Sequence, residues 1–410
     1  MEGNVGREKQ KYIILGLLFI TWIINYLDKL SINIAVIPIA KEFHLNESQT
    51  GLIISVFFMS YAVMQLIGGW LSDKYGSRKI ILISLLLWSV FTILTGYAWS
   101  FISLIVIRLL FGLGEGSFPA ASSLALAESF PKAERGRAKS VLTSATTIGG
   151  LLSTVIAASL ITTIGWRSLF YAFGILGILM SVLLFFFLKP PVTENVKDVE
   201  QKATKVPFKK LLKMPMLWQL MIMYFGVSIV NWGLASWMPS YLVKVKHLDL
   251  VSMGAISMIP AAVGFISVLT TGWIIDKFMV GREKYLIIIG AIISGVCVYL
   301  MAHAPSIPLV ITYQSINNIG ALLATTTILT LPLKYFSPGT IGTAVGFMYF
   351  GGQLAGAISP SIMGFVISLF NGSYNAAFIF LMLAMIIPII TALTLRTKDS
   401  SPEVLQAQVQ

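Results

Sequence analysis

Apolar residues fall into twelve runs of roughly twenty or more, each long enough for a helix to cross the hydrocarbon core of a bilayer. The runs lie at about 13–40, 49–72, 79–98, 101–124, 138–163 and 166–188, then at about 214–243, 250–275, 284–303, 307–333, 339–366 and 373–396. Short polar connections separate them. The longest polar stretch, 189–213, is rich in Lys, Glu, Val and Thr and is too short to fold alone. The pattern predicts an all-α polytopic membrane protein of twelve transmembrane helices: a six-helix block at 1–188, a linker at 189–213, and a second six-helix block with a short tail at 214–410. The first run is longer than a signal-peptide core and carries no small-residue cleavage site, so it is expected to be retained.

Composition agrees with this pattern. At 56% hydrophobic and 11% charged residues, the chain has no stretch with the makeup of a soluble enzyme domain. Placing both termini and the linker on one side collects there all the Lys and Arg except Lys41, Arg167, Lys244 and Lys246 on the other side, and Lys29 and Arg108 inside runs. By the positive-inside rule that basic side, with N- and C-termini, is cytoplasmic. The net charge of +12 is therefore a topology signal, helped by anionic lipid headgroups. It is scattered over short loops, unlike the concentrated face that nucleic acid needs. The single cysteine, Cys297, lies in an apolar run, and His44, His247 and His303 fall near run ends. No metal site, cofactor or covalent enzyme chemistry is expected.

Four charges stand inside the predicted helices: Asp28 and Lys29 in the first, Arg108 and Glu115 in the fourth. Charge at that depth is costly and marks function by default. Arg108 and Glu115, seven residues apart, share a helix face about 10 Å apart, and Asn25, Asp28 and Lys29 form one polar stripe. Two acids and two bases sum to zero, so an empty site can be internally paired. Protonating an acid then frees a base for an anionic ligand, which couples the two binding events. The competing reading is a pair of fixed interhelical salt bridges, although buried pairs contribute little net stability.

Six helices, a linker and six more suggest a duplication. After the second run comes Gly69-Trp70-Leu71-Ser72-Asp73-Lys74-Tyr75-Gly76-Ser77-Arg78-Lys79, and after the eighth comes Gly272-Trp273-Ile274-Ile275-Asp276-Lys277 with Gly281 and Arg282. The glycines are expected to permit close helix approach, and the acid and bases to cap and pair. On these loops, on Arg108-Leu109-Leu110-Phe111-Gly112-Leu113-Gly114-Glu115-Gly116 with Pro119, and on Gly165-Trp166-Arg167, the chain resembles the major facilitator superfamily over its whole length. That resemblance implies two pseudo-twofold-related bundles, a midplane site, alternating access, and gating roles for Gly69, Asp73, Lys74, Gly76, Arg78 and Asp276. It also implies a monomer.

A narrower resemblance, on Asn25-Tyr26-Leu27-Asp28-Lys29, Arg108, Glu115 and Trp237-Met238-Pro239-Ser240-Tyr241-Leu242, is to the anion:cation symporter family. It implies a multi-pass protein of the plasma membrane, the inner membrane in a bacterium, importing an organic anion such as a sugar acid with protons. Asp28 and Glu115 would then bind protons, Lys29 and Arg108 would manage the anion, and Tyr26, Asn25, Tyr61, Thr146, Tyr349, Gln353 and Asn317 would contact it. The C-terminal candidates, Tyr349, Gln353 and Asn317 among them, are neutral, and each has an interhelical or interfacial alternative. Two departures bear on the substrate. The helix-one base is Lys29 rather than the arginine usual in sugar-acid carriers, and Ser144-Ala145-Thr146-Thr147 replaces an expected glutamine. A different carboxylate or a sulfonate therefore stays open. A proton-coupled efflux antiporter is disfavoured because the run from Ser144 to Ser153 has no proline, and a non-transporting sensor because no long output segment is present.

Overall fold

Backbone N–H and C=O groups find no partners in hydrocarbon, so an apolar chain of this length satisfies them internally by forming helices. In the computed structural model, which describes residues 2–131, 134–188, 211–278, 282–336 and 340–395, the elements are all helical. They are α1 (Glu2–Glu42), α2 (Glu47–Tyr75), α3 (Ser77–Gly96), α4 (Phe101–Glu115), α5 (Phe118–Ser129), α6 (Arg135–Phe187), α7 (Pro215–Lys244), α8 (Leu250–Phe278), α9 (Glu283–Ala302), α10 (Ile307–Tyr335), α11 (Ile341–Leu369), α12 (Tyr374–Ala384) and α13 (Ile386–Thr394). With α4 joined to α5 and α12 to α13, they make eleven helical spans long and apolar enough to cross a membrane.

The fifth and sixth predicted helices follow one another with no loop between them, and α6 spans both in 53 residues. Straight, it would run roughly 80 Å, more than twice a hydrocarbon core. It folds back at Gly165, whose φ of 83° and ψ of 160° lie in a region open essentially to glycine alone. Counting α6 twice restores the twelve crossings. Behind the turn, the Trp166 indole and the Arg167 guanidinium both donate to Glu42 Oε2, at 2.8 and 2.7 Å, and Arg167 also reaches the Ala98 carbonyl at 3.2 Å. The fourth predicted helix is interrupted the other way. It breaks at Gly116–Ser117, with Pro119 in the first turn of α5. The last span breaks at Met385, where Pro388 cannot donate to the Ala384 carbonyl.

The chain forms two compact units. One comprises residues up to Leu45, from Leu52 through α6, and Leu248–Ala255; the other comprises Asn46–Gly51, α7 to His247, and Ile256 onward. A duplication is visible in their register. α2 and α8 are both 29 residues long, α3 and α9 both 20, and the α4–α5 span and α10 both 29. Ser77 and Glu283, Phe101 and Ile307, and Arg135 and Ile341 open corresponding helices 206 positions apart, whereas Glu47 and Leu250 are 203 apart. The second copy of the loop thus carries three extra residues. Even side-chain pairs correspond. Ser77 Oγ donates to Glu128 in the first unit, and 206 positions on, Lys334 Nζ donates to buried Glu283 at 2.8 Å in the second.

Candidate functional site

In the first unit, glycines bring the polar positions together. A Cβ at Gly112 would lie 2.5 Å from the Phe57 carbonyl oxygen and against Ser60 Oγ, and one at Gly116 would lie 2.7 Å from Met64 Cβ. These two glycines, one turn apart, let α2 press directly on α4. On the other side of α1, a Cβ at Gly149 would sit 2.8 Å from Tyr26 Cβ. α2 is thereby held on α4 and α6 on α1, and central side chains of α1 touch those of α2 and α4.

Asp28, Lys29, Arg108 and Glu115 all sit in that contact, exposed by no more than 6%. Lys29 Nζ donates to Glu115 Oε1 at 3.1 Å. The same ammonium lies 3.9 Å from the centroid of Tyr61, 5.0 Å from that of Phe57 and 5.8 Å from that of Tyr26. It occupies an aromatic cage closed by one carboxylate, an arrangement suited to a compact cation. Asp28 is held differently. Its Oδ2 accepts from the Thr92 hydroxyl of α3 at 2.5 Å, and its Oδ1 is buried with no hydrogen-bond partner among the described residues. Arg108 stacks near Phe111 and Phe170, at 5.1 and 5.6 Å, while its Nε and Nη2 are buried and likewise without hydrogen-bond acceptors. Only Lys29–Glu115 is a direct ion pair within this cluster, so the full internal pairing that charge balance allows is half realised.

The remaining candidates separate clearly. Asn25 is buried beside these groups in sequence, with its Nδ2 unpartnered. Thr146 is half-buried, and its hydroxyl is spent on the Thr143 carbonyl at 2.7 Å. In the second unit, Tyr349 is 39% exposed and packs edge-on against Tyr224, and Gln353 keeps a buried, unpartnered Oε1. Asn317 is an interhelical node. Ser294 donates to its Oδ1 at 2.6 Å, its Nδ2 donates to Asn318 at 3.3 Å, and Asn318 in turn donates to the Pro260 carbonyl at 2.8 Å. The motif expected in the loop after the second helix lies mostly within the last turns of α2, where a Cβ at Gly69 would meet nothing within 4 Å and the close approach belongs instead to Gly68, against Ser117. Gly76 supplies a φ of 86° before α3. Asp73 is exposed, Lys74 lies over Trp70 and Tyr75, and Arg78 Nη2 donates to the Phe185 carbonyl at 2.6 Å. The Asp276 side chain lies outside those described.

Sequence reasoning missed Thr92 and Phe57. Both stand in continuous apolar runs, where a threonine is usually bonded to its own helix and a phenylalanine usually faces lipid, so neither carries a local signal.

The sequence profile of the Major Facilitator Superfamily matches residues 18–360 and 279–409. The chain belongs to that superfamily. Superfamily members are transporters rather than enzymes, and this chain is a multi-pass membrane protein of that kind. Among its superfamily relatives are a probable sulfoacetate transporter of Cupriavidus necator, 29% identical over 91% of this chain and 90% of its own length, and a hexuronate transporter of Bacillus subtilis, 28% identical over 91% of each. A probable galactarate/D-glucarate transporter of Escherichia coli is 28% identical over 90% of this chain and 91% of its own. Solved superfamily structures share the fold. A bacterial homologue of the human lysosomal transporter Spinster, inward-facing and unoccupied, aligns with a TM-score of 0.81 at 19% identity over 97% of each chain. A D-xylose–proton symporter aligns with a TM-score of 0.74 at 17% identity over 96% of this chain and 98% of its own.

Proposed function

We propose that this chain is a secondary carrier that imports an organic anion, a sugar acid or related carboxylate or a sulfonate, together with protons by alternating access. The observation that carries the proposal is Arg108, a buried guanidinium with two donors unmet in a cluster whose formal charges already cancel. A desolvated donor of that kind favours an anionic oxygen. An anion arriving alone would leave the buried cluster at −1 and a proton alone would leave it at +1; arriving together, they keep it neutral. Since net charge in a low-dielectric interior is costly, each binding event favours the other. Asp28 and Glu115 are the two acids that take protons in this scheme, and protonation of Glu115 releases Lys29, within its cage, as a second contact for the anion. The relatives named for sulfoacetate, hexuronate and galactarate or glucarate support the anionic substrate class. The distribution of Lys and Arg supports cytoplasmic termini.

The test is to purify the chain, reconstitute it in lightly buffered proteoliposomes, and follow external pH on adding glucuronate, galactarate, sulfoacetate, acetate or phosphate. Alkalinisation with one class, lost in Asp28→Asn, is the expected result. Uptake of a radiolabelled acid with no pH change would refute the coupling, and silence across the panel would refute the substrate class.

A further inference from the structure

The Thr92 hydroxyl faces two acceptors. It lies 2.5 Å from Asp28 Oδ2 and 3.0 Å from the carbonyl of Trp88, one turn back on α3, and Thr92 is fully buried. A hydroxyl has one hydrogen and two lone pairs, so it serves only one of these acceptors at a time while still able to accept from the other side. We propose that Thr92 is a positioning residue for proton binding at Asp28, its hydrogen turned to Oδ2 while the carboxylate is ionised and to the Trp88 carbonyl once Asp28 is protonated.

The exchange balances. An incoming proton bonds to Asp28 Oδ2, that new O–H donates to Thr92 Oγ1, and the threonine hydrogen rotates onto the Trp88 oxygen; no bond within threonine breaks. Asp28 thus keeps a partner in both states with no heavy-atom displacement. Its other neighbours do not duplicate this service. α4 brings Arg108 and Glu115, which act on Asp28 through space without a direct bond. α2 brings Tyr61, and α1 itself brings Tyr26 and Lys29, which are taken up in the cage. α3 carries Arg78 and Lys79 only at its opposite end, and the Arg167 and Tyr171 groups of α6 are held by Glu42, Ala98 and Gly96. A hydrogen bond to an ionised group is the stronger of the two arrangements, so removing the hydroxyl disfavours the ionised state more than the protonated one.

The inference rests on the proton-coupled reading, and the experiment separates the two. The protonated-carboxyl infrared band of the purified protein, assigned by its loss in Asp28→Asn, is titrated with pH in the absence of substrate. In Thr92→Val, which keeps shape and removes the hydroxyl, the midpoint of that band is expected to lie about one pH unit above wild type. Thr92→Ser should restore it, and Thr92→Cys, a weaker donor, should fall between. A role in packing alone would lower thermal stability and leave the midpoint in place. Equal midpoints in wild type and Thr92→Val overturn the inference; should that variant fail to fold, equal midpoints in wild type and Thr92→Cys do so. A wild-type band that does not titrate overturns the proton role of Asp28 itself.

Discussion

Two buried bases, Lys29 on α1 and Arg108 on α4, are held in opposite ways. Lys29 is enclosed by three rings and one carboxylate, and Arg108 is left with donors to spare. Lys29→Arg should therefore fail despite keeping the charge, because a planar guanidinium overfills a cage whose nearest ring centroid is 3.9 Å away. We expect uptake to drop at least about tenfold, while Tyr61→Phe, which keeps the ring, stays within about threefold of wild type. Arg108→Lys should raise the KM for the transported acid by roughly tenfold to a hundredfold with protein amount unchanged, since the fork is lost. Glu115→Gln is expected to abolish accumulation against a pH gradient yet retain substrate counterflow, and uphill uptake by that variant would contradict a proton role for Glu115. All four charges are visible in the sequence because a charge in an apolar run is conspicuous. The choice of partners is not, since it depends on which hydroxyl of α3 and which ring of α2 face α1.

Element boundaries show where hydropathy is a sufficient guide. Runs of apolar residues located the spans because membrane thickness sets helix length, but a hydropathy profile does not sense backbone dihedrals. It placed the division between the fifth and sixth spans beside Gly165 but could not foresee that one residue makes that turn, or that the fourth span breaks at Gly116. Gly165→Ala is expected to cost about 1–3 kcal/mol, read as a lowered thermal unfolding midpoint in detergent, with asparagine no better because ψ is 160° rather than that of a left-handed helix. Gly112→Ala should cost about as much for a different reason, a methyl group forced against the Phe57 carbonyl. Gly69→Ala, with open space around it, should be nearly silent in the same assay.

The duplicated register organises the whole molecule, and its chemistry is unequal. The positions 206 beyond Arg108 and Glu115 hold Gln314 and Ala321, so the second copy keeps the scaffold and none of the central charge. The first copy alone holds the cluster, two acids with two bases. If one proton accompanies each negative charge of the substrate, that cluster is neutral when empty and neutral when loaded. Membrane voltage then has no lever on either leg of the cycle. A potassium diffusion potential set with valinomycin should leave the uptake of a monocarboxylate unchanged at fixed pH, and accumulation should be capped at about tenfold per unit of pH difference, the limit when one proton travels with each anion. With such a carrier, a cell whose surroundings drift toward the pH of its cytoplasm would lose accumulation above the outside concentration, however strongly its membrane stayed polarised.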